Sequence, residues 1–220
     1  MQLCSCPAAT ALTTIPAAGC PETFGQIQKV AFQRLKKADG TLNSFTTGSS
    51  TGIDKKAAWT SKMALTDGGK IVVSPYIQAP TVEPGDPITF GGGNDTLGGL
   101  EIVVGRNPTP FTGVIRSVSQ SVIKAMKALQ CEAQGDNLGV FLFDDNGNIA
   151  AIADGTTEGT YYPIPIRSLF ISDKGFGGLE APDSNNIQWT FLPNYSDDLK
   201  FIIPEAGFNP LTDLVPASNS

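Results

Sequence analysis

The 220-residue chain has no histidine. Histidine is the one side chain that ordinarily changes charge between pH 5 and 8, and it is the commonest general base and metal ligand. Its absence excludes most hydrolase mechanisms and every His-containing zinc or haem site. Chemistry is left to carboxylates, lysines, cysteines and backbone loops, and no enzymatic activity is expected. Cysteine is scarce as well: Cys4, Cys6, Cys20 and Cys131 contain no C-x-x-C pair, so neither a zinc site nor any other metal or cofactor is expected. Charged residues make up 16% of the chain, below the roughly 25% of ordinary soluble domains. Apolar runs are short, and none reaches the ~18 residues a membrane helix needs. The opening MQLCSCPAATALTTIPAAG has neither a basic start nor a firm apolar stretch. It does not read as a secretory signal, and assembly in a cytoplasm with reduced thiols is the expectation.

What the chain does have is turns and core anchors. It carries 24 Gly and 16 Pro, is 40% hydrophobic, and contains 12 Phe, 4 Tyr and 2 Trp. A chain of this length buries roughly 70% of its unfolded surface, enough for one large core or two small ones. Many turns with few charges point to a mainly β architecture. Charge is uneven: through Lys70 there are 8 Lys and Arg against 4 Asp and Glu, and thereafter 7 against 17. The acidic remainder argues against gripping nucleic acid, which requires clustered cations. It is compatible with a surface past which DNA slides, because like charge keeps phosphates from settling.

Residues 1–24 are small, proline-punctuated and almost uncharged, and read as an extended arm. A single β-rich domain is expected over 25–204 and a polar tail over 205–220. Gln26 to Leu35 fits a helix through Ile27, Val30, Ala31 and Leu35 or a strand through Val30 and Phe32, and the turn Ala38-Asp39-Gly40 that follows favours the strand. The segment 43–53 (NSFTTGSSTGI) has no period and reads as a long mobile loop. Asp54 is placed to cap a short helix running to about Leu65, and Lys70 to Ser74 follows as a strand. Pro75, Pro80, Pro84 and Pro87 suit edge or loop segments. Strands are expected over Leu100–Val104, Phe111–Ile115, Leu138–Phe143, Ile149–Ala153, Ile166–Ser172, Ile187–Leu192 and Leu199–Ile203. The clearest helix spans Gln120 to Ala133. Ser119 is expected to cap it, Val122, Met126, Leu129 and Ala133 to form its apolar stripe, and Gly135 to end it.

Four patterns that resemble functional motifs fail on chemistry. Gly48-Ser49-Ser50-Thr51-Gly52 matches the nucleophile-elbow spacing, yet it follows a loop and has no histidine to take a proton. Gly91 to Gly99 places Thr96 where a dinucleotide loop needs glycine, and the P-loop spacing from Gly93 puts Gly99 where lysine belongs. Asp144-Asp145-Asn146-Gly147-Asn148 lacks the alternating ligands of a calcium loop and reads as a hairpin turn. Asp197 and Asp198 are adjacent, so on a strand they face opposite sides.

From Ser119 onward the order is a helix, then LGVFLFDDNGNIAAI, then PIPIRSLFISDKGFGGLEAPDSNNIQWTFLPNYSDDLKFIIP. This arrangement resembles the structural proteins of tailed bacteriophages, in particular the tail tube (major tail) family. The resemblance implies a β-sandwich or β-barrel-like fold with one flanking helix at 119–133 and an extended N-terminal arm. It also implies a virion location and homo-oligomeric rings, hexameric by resemblance, that stack into a tube. Its partners would be further copies of itself, other virion proteins, and DNA passing without specific binding, with no membrane. A head decoration or neck protein, and an adhesive or carbohydrate-binding β-sandwich, remain open. Because loop 43–53 is too long for a simple connector, Phe45, Gly48, Ser49, Ser50 and Thr51 are the candidate inter-subunit contacts. Deleting Phe45 to Thr51 is expected to leave the sandwich folded and to shorten or abolish tubes.

Overall fold

The computed structural model describes residues 14–17, 19, 22–47 and 51–215. Most of the expected N-terminal arm therefore lies outside the described residues, as do Gly48, Ser49 and Ser50. The fold is mainly β: among the described residues an eleven-stranded antiparallel sheet curls on itself, and a two-stranded hairpin stands apart. In chain order the strands are β1 (Ile27–Arg34), β2 (Phe45–Thr46), β3 (Ile71–Val73), β4 (Gln78–Val82), β5 (Pro87–Gly91), β6 (Glu101–Arg106), β7 (Thr109–Arg116), β8 (Leu138–Asp144), β9 (Ile149–Ala153), β10 (Thr160–Tyr162), β11 (Ile164–Ile171), β12 (Ser184–Phe191) and β13 (Leu199–Ile202). The helices are α1 (Lys56–Met63), α2 (Gln120–Gln134) and α3 (Pro210–Asp213).

The sheet runs β2-β10-β9-β8-β11-β12-β7-β4, with β1 joining β8 to β3 and β13 flanking β9. β8 is its centre. Its sequence LGVFLFD does not alternate with polar residues, and all seven positions are buried, as expected of a strand covered on both faces. Leu138, Val140 and Leu142 point into one core with Val30, Phe32, Ile166, Ile187, Trp189 and Phe191. Phe141 and Phe143 point into the other with Ala31, Phe45, Trp59, Ile71 and Ile149. The first core is closed by the curl of β11, β12 and β7 and by α2. In it Phe111 stacks on Trp189 with ring centroids 3.7 Å apart.

The strand at 26–35, the hairpin β8–β9 and the stripe Ile187, Trp189, Phe191 stand where the sequence places them. So does α2, which buries Ile123, Met126 and Ala133 and packs Val122 and Leu129 at the margin of the core. Pro80 lies in β4, at the end of the strand order, where a missing N–H is tolerated.

Several details differ. Ser119 stands at the N-cap of α2 as expected but makes no side-chain cap bond, and the expected Asp54 cap does not form. Lys55, not Asp54, occupies the cap position of α1, and the Asp54 carboxylate instead pairs with the Lys55 ammonium at 3.1 Å. The Ser119 hydroxyl bonds Ser121 Oγ at 2.9 Å rather than the helix backbone. Loop 43–53 is anchored at three points: Asn43, Phe45 and Ile53 are buried, and Phe45 belongs to β2. The segment after Pro204 is a lid on the second core rather than a polar tail. Phe208, Leu211 and Leu214 are buried there, and Asn209 Oδ1 accepts from Leu211 N at 2.9 Å to start α3. Lys29, itself buried, holds this lid by donating to Leu211 O at 2.9 Å and Leu214 O at 2.6 Å.

Candidate self-association surface

The segment between Glu83 and Asn107 forms an arm. β5 and β6 pair with each other and, among the described residues, with no other strand. Pro87 stands at the first position of its strand, where it breaks no internal ladder. At the base Asn107 N donates to Asp86 O at 2.9 Å, and the Arg106 guanidinium donates to Asn194 Oδ1 at 3.1 Å. Gly85 is required at this point, since a Cβ would lie 2.0 Å from Asn107 O. At the tip Gly91 has φ +103°, and a Cβ there would lie 2.6 Å from Leu100 O. Thr96 ties the tip together by accepting from Gly92 N and donating to Leu100 O at 2.6 Å. The glycine cluster thus serves a hairpin end, not a phosphate cradle.

The arm is apolar and bare. Ile88, Phe90, Leu100, Ile102, Val103 and Val104 are between 44% and 68% exposed. Phe90 and Ile102 are cross-strand partners and share one face, while Val103 opposite Thr89 lies on the other. A β-bulge between Ile88 and Thr89 adds local twist. Fully covering a side chain of this size is worth about 1.5–3 kcal/mol. Covering six that are half exposed yields about 6 kcal/mol, comparable with the entropic cost of association, about 4–15 kcal/mol. One arm therefore gives weak pairing, and stable assembly needs many arms or added contacts. The arm is also acidic, with Glu83, Asp86, Asp95 and Glu101 against Arg106.

Of the five residues expected to make subunit contacts, two, Phe45 and Thr51, lie among the described residues. Phe45 is 1% exposed, 4.6 Å from the Trp59 ring and 5.4 Å from Phe141. The Lys62 ammonium lies 4.7 Å over it, so its side chain is committed within its own subunit. Thr51 is exposed, and Gly48, Ser49 and Ser50 lie outside the described residues. In the sequence only Leu100–Val104 of the arm reads as a strand, and the prolines make the β5 stretch read as edge or loop; the usable signal is apolar residues on both faces of a short hairpin, where one solvated face should be polar. A second bare patch, Phe176 and Leu179, occupies the connection from β11 to β12.

The remaining motif residues have structural work. The Asp144 carboxylate accepts from Gly25 N at 3.0 Å, Asn146 N at 3.0 Å, Asn148 N at 2.7 Å and Asn148 Nδ2 at 2.8 Å, which commits it to the β8–β9 turn. Cys131 is free and exposed on α2, while Cys4, Cys6 and Cys20 lie outside the described residues. Among the described residues no three Cys, Asp or Glu side chains gather as a metal ligand set. No described helix is long and apolar enough to cross a membrane.

The sequence matches no protein-family model and no curated protein. Three solved structures show likeness in shape. A chain of the virion of the native gene transfer agent (GTA) particle has a TM-score of 0.34 at 11% identity, covering 57% of this chain and 83% of that one. A chain of the tail of the empty GTA particle has 0.32 at 12% identity, covering 57% and 81%. A chain of the anti-feeding prophage (AFP) baseplate has 0.36 at 7% identity, covering 87% and 98%. Scores at this level establish no kinship.

Proposed function

We propose that this chain is a structural protein of a tailed-phage virion that self-assembles into the stacked rings of a tail tube. The observation that carries the reading is the β5–β6 arm, whose six large apolar side chains stand in water in a single copy. Such a surface belongs against another protein. Many weak arms acting together around closed rings supply the stability that one arm lacks. The resemblance of the segment from Ser119 to Pro204 to the tail tube family supports the specific role. The acidic excess after Lys70 supports a lumen that is negative or neutral, along which DNA slides.

Negative-stain microscopy and sedimentation of the purified chain test the reading. Rings or tubes that grow with concentration are expected, and Phe90→Asp is expected to dissolve them into folded monomers. A chain that stays monomeric at all concentrations and binds glycans is instead an adhesive module. A monomer that decorates a capsid lattice is a head protein.

A further inference from the structure

We propose that the apolar groove between β3 and α2 is the socket for the β5–β6 arm of a second copy. The proposal rests on the arm being a self-association element. The groove has a volume of about 560 Å³, and its walls include Phe32, Met63, Val72, Val122, Met126 and Leu129. It continues into a second hollow that shares Phe32, Lys70, Val72 and Leu129. Val72 is 41% exposed although it pairs with buried Phe32, so an apolar wall of the sheet is left open at this point.

Three features select the arm as occupant. The first is shape and chemistry: the face bearing Phe90 and Ile102 is an apolar wedge, and the groove is an apolar cleft. The second is charge. Lys62 of α1, Lys37 and Lys70 stand around Asp67 beside the second hollow, and burial, with the nearby charge of Lys37, lowers the Lys62 pKa. The arm brings Glu101 and Asp95, and opposite signs across an interface fix its register. The third is the edge of β3, which pairs with β1 and, among the described residues, with no other strand. An incoming strand finds main-chain groups there to join. Arm and groove lie on different parts of the same chain. Their union is head-to-tail, and such contacts propagate into rings or filaments rather than stopping at a dimer.

A complementation experiment tests the pairing. Phe90→Asp removes the wedge and keeps the groove; Val72→Asp spoils the groove and keeps the wedge. Each variant alone is expected to sediment as a monomer, with association weakened about thirtyfold or more. An equimolar mixture sedimented at high concentration is expected to give a weak one-to-one heterodimer, held by the single arm and its added strand pairing on β3, and nothing larger, since only one productive arm and one productive groove remain. Circular dichroism and melting temperature confirm that both variants are folded. Should Val72→Asp fail to fold, Lys70→Glu on an exposed side chain takes its place, and Glu101→Lys in the partner restores binding. A Val72→Asp chain that assembles like wild type, or a mixture that stays monomeric, overturns the groove as socket while leaving self-assembly intact. A wild-type chain that never associates overturns the functional reading itself.

Discussion

Replacing Lys29 by Met tests how the C-terminal lid is held. The ammonium is buried and donates to Leu211 O at 2.9 Å and Leu214 O at 2.6 Å, with the Tyr76 ring 5.2 Å away. Each hydrogen bond from a charged donor is worth about 1.5–3 kcal/mol, and a cation over a ring adds about 0.5–1 kcal/mol. Against this stands the loss of hydration, and burial accordingly holds the Lys29 pKa below its ordinary value. Methionine keeps the length of the stem and removes the dehydration cost, so the net loss is about 3 kcal/mol. That corresponds to a fall in melting temperature of about 8 °C for a chain of this size. Urea denaturation measures the energy, and limited proteolysis after Pro204 shows whether the lid has loosened. Tyr76 Oη also donates to Leu211 O, at 2.9 Å, so Tyr76→Phe should cost about 1 kcal/mol. The double variant should cost more than the sum, since each single variant leaves Leu211 O one donor and only the double variant leaves it with neither. A Lys29→Met chain within about 0.5 kcal/mol of wild type, its C-terminal segment still protected, would refute the reasoning.

Three further outcomes follow from the cores and the surface. Met126→Asp places an unpaired charge against the first core and should cost about 4 kcal/mol, read as a drop in melting temperature. Phe45→Ala should cost about 3–5 kcal/mol by opening the aromatic cluster around Trp59, so deleting Phe45 to Thr51 should unfold the domain rather than merely shorten tubes; a deletion chain with a wild-type melting curve would show otherwise. The Thr156 hydroxyl and backbone N–H, with Tyr162 Oη, hold the Asp154 pKa at about 2, below its ordinary 3.8. Its contribution is therefore complete above pH 3.8 and lost as pH falls toward 2. Asp154→Asn should flatten the dependence of melting temperature on pH across that window, and an unchanged slope would count against the assignment.

The elements most legible in the sequence were those whose own pattern decides their environment. LGVFLF cannot be solvated on either face, the alternation of Ile187, Trp189 and Phe191 fixes one buried face, and the α2 stripe fixes another. Less legible were residues whose place depends on distant partners. Phe45 sits in a polar, glycine-bearing stretch, and only Trp59 and Phe141, arriving from other elements, bury it. Phe208, Leu211 and Leu214 are too short a pattern to mark a lid, and the donor that fastens it is 182 residues away in sequence. Pro84 and Pro87 hid β5, because a hairpin standing free of the sheet tolerates prolines that a central strand would not. Periodicity says which face of a strand is apolar. It does not say whether the cover comes from the same chain or from another.

The two-sided burial of β8 has a consequence for how the molecule comes apart. A strand that forms a wall of both cores cannot leave one without stripping the other, so the cores share a single cooperative transition. Its amides should exchange with solvent deuterium only through global opening, making β8 the slowest segment of the chain. Among the described strands, the β5–β6 amides, ordered by two strands alone, should exchange fastest in the monomer and become protected when copies associate.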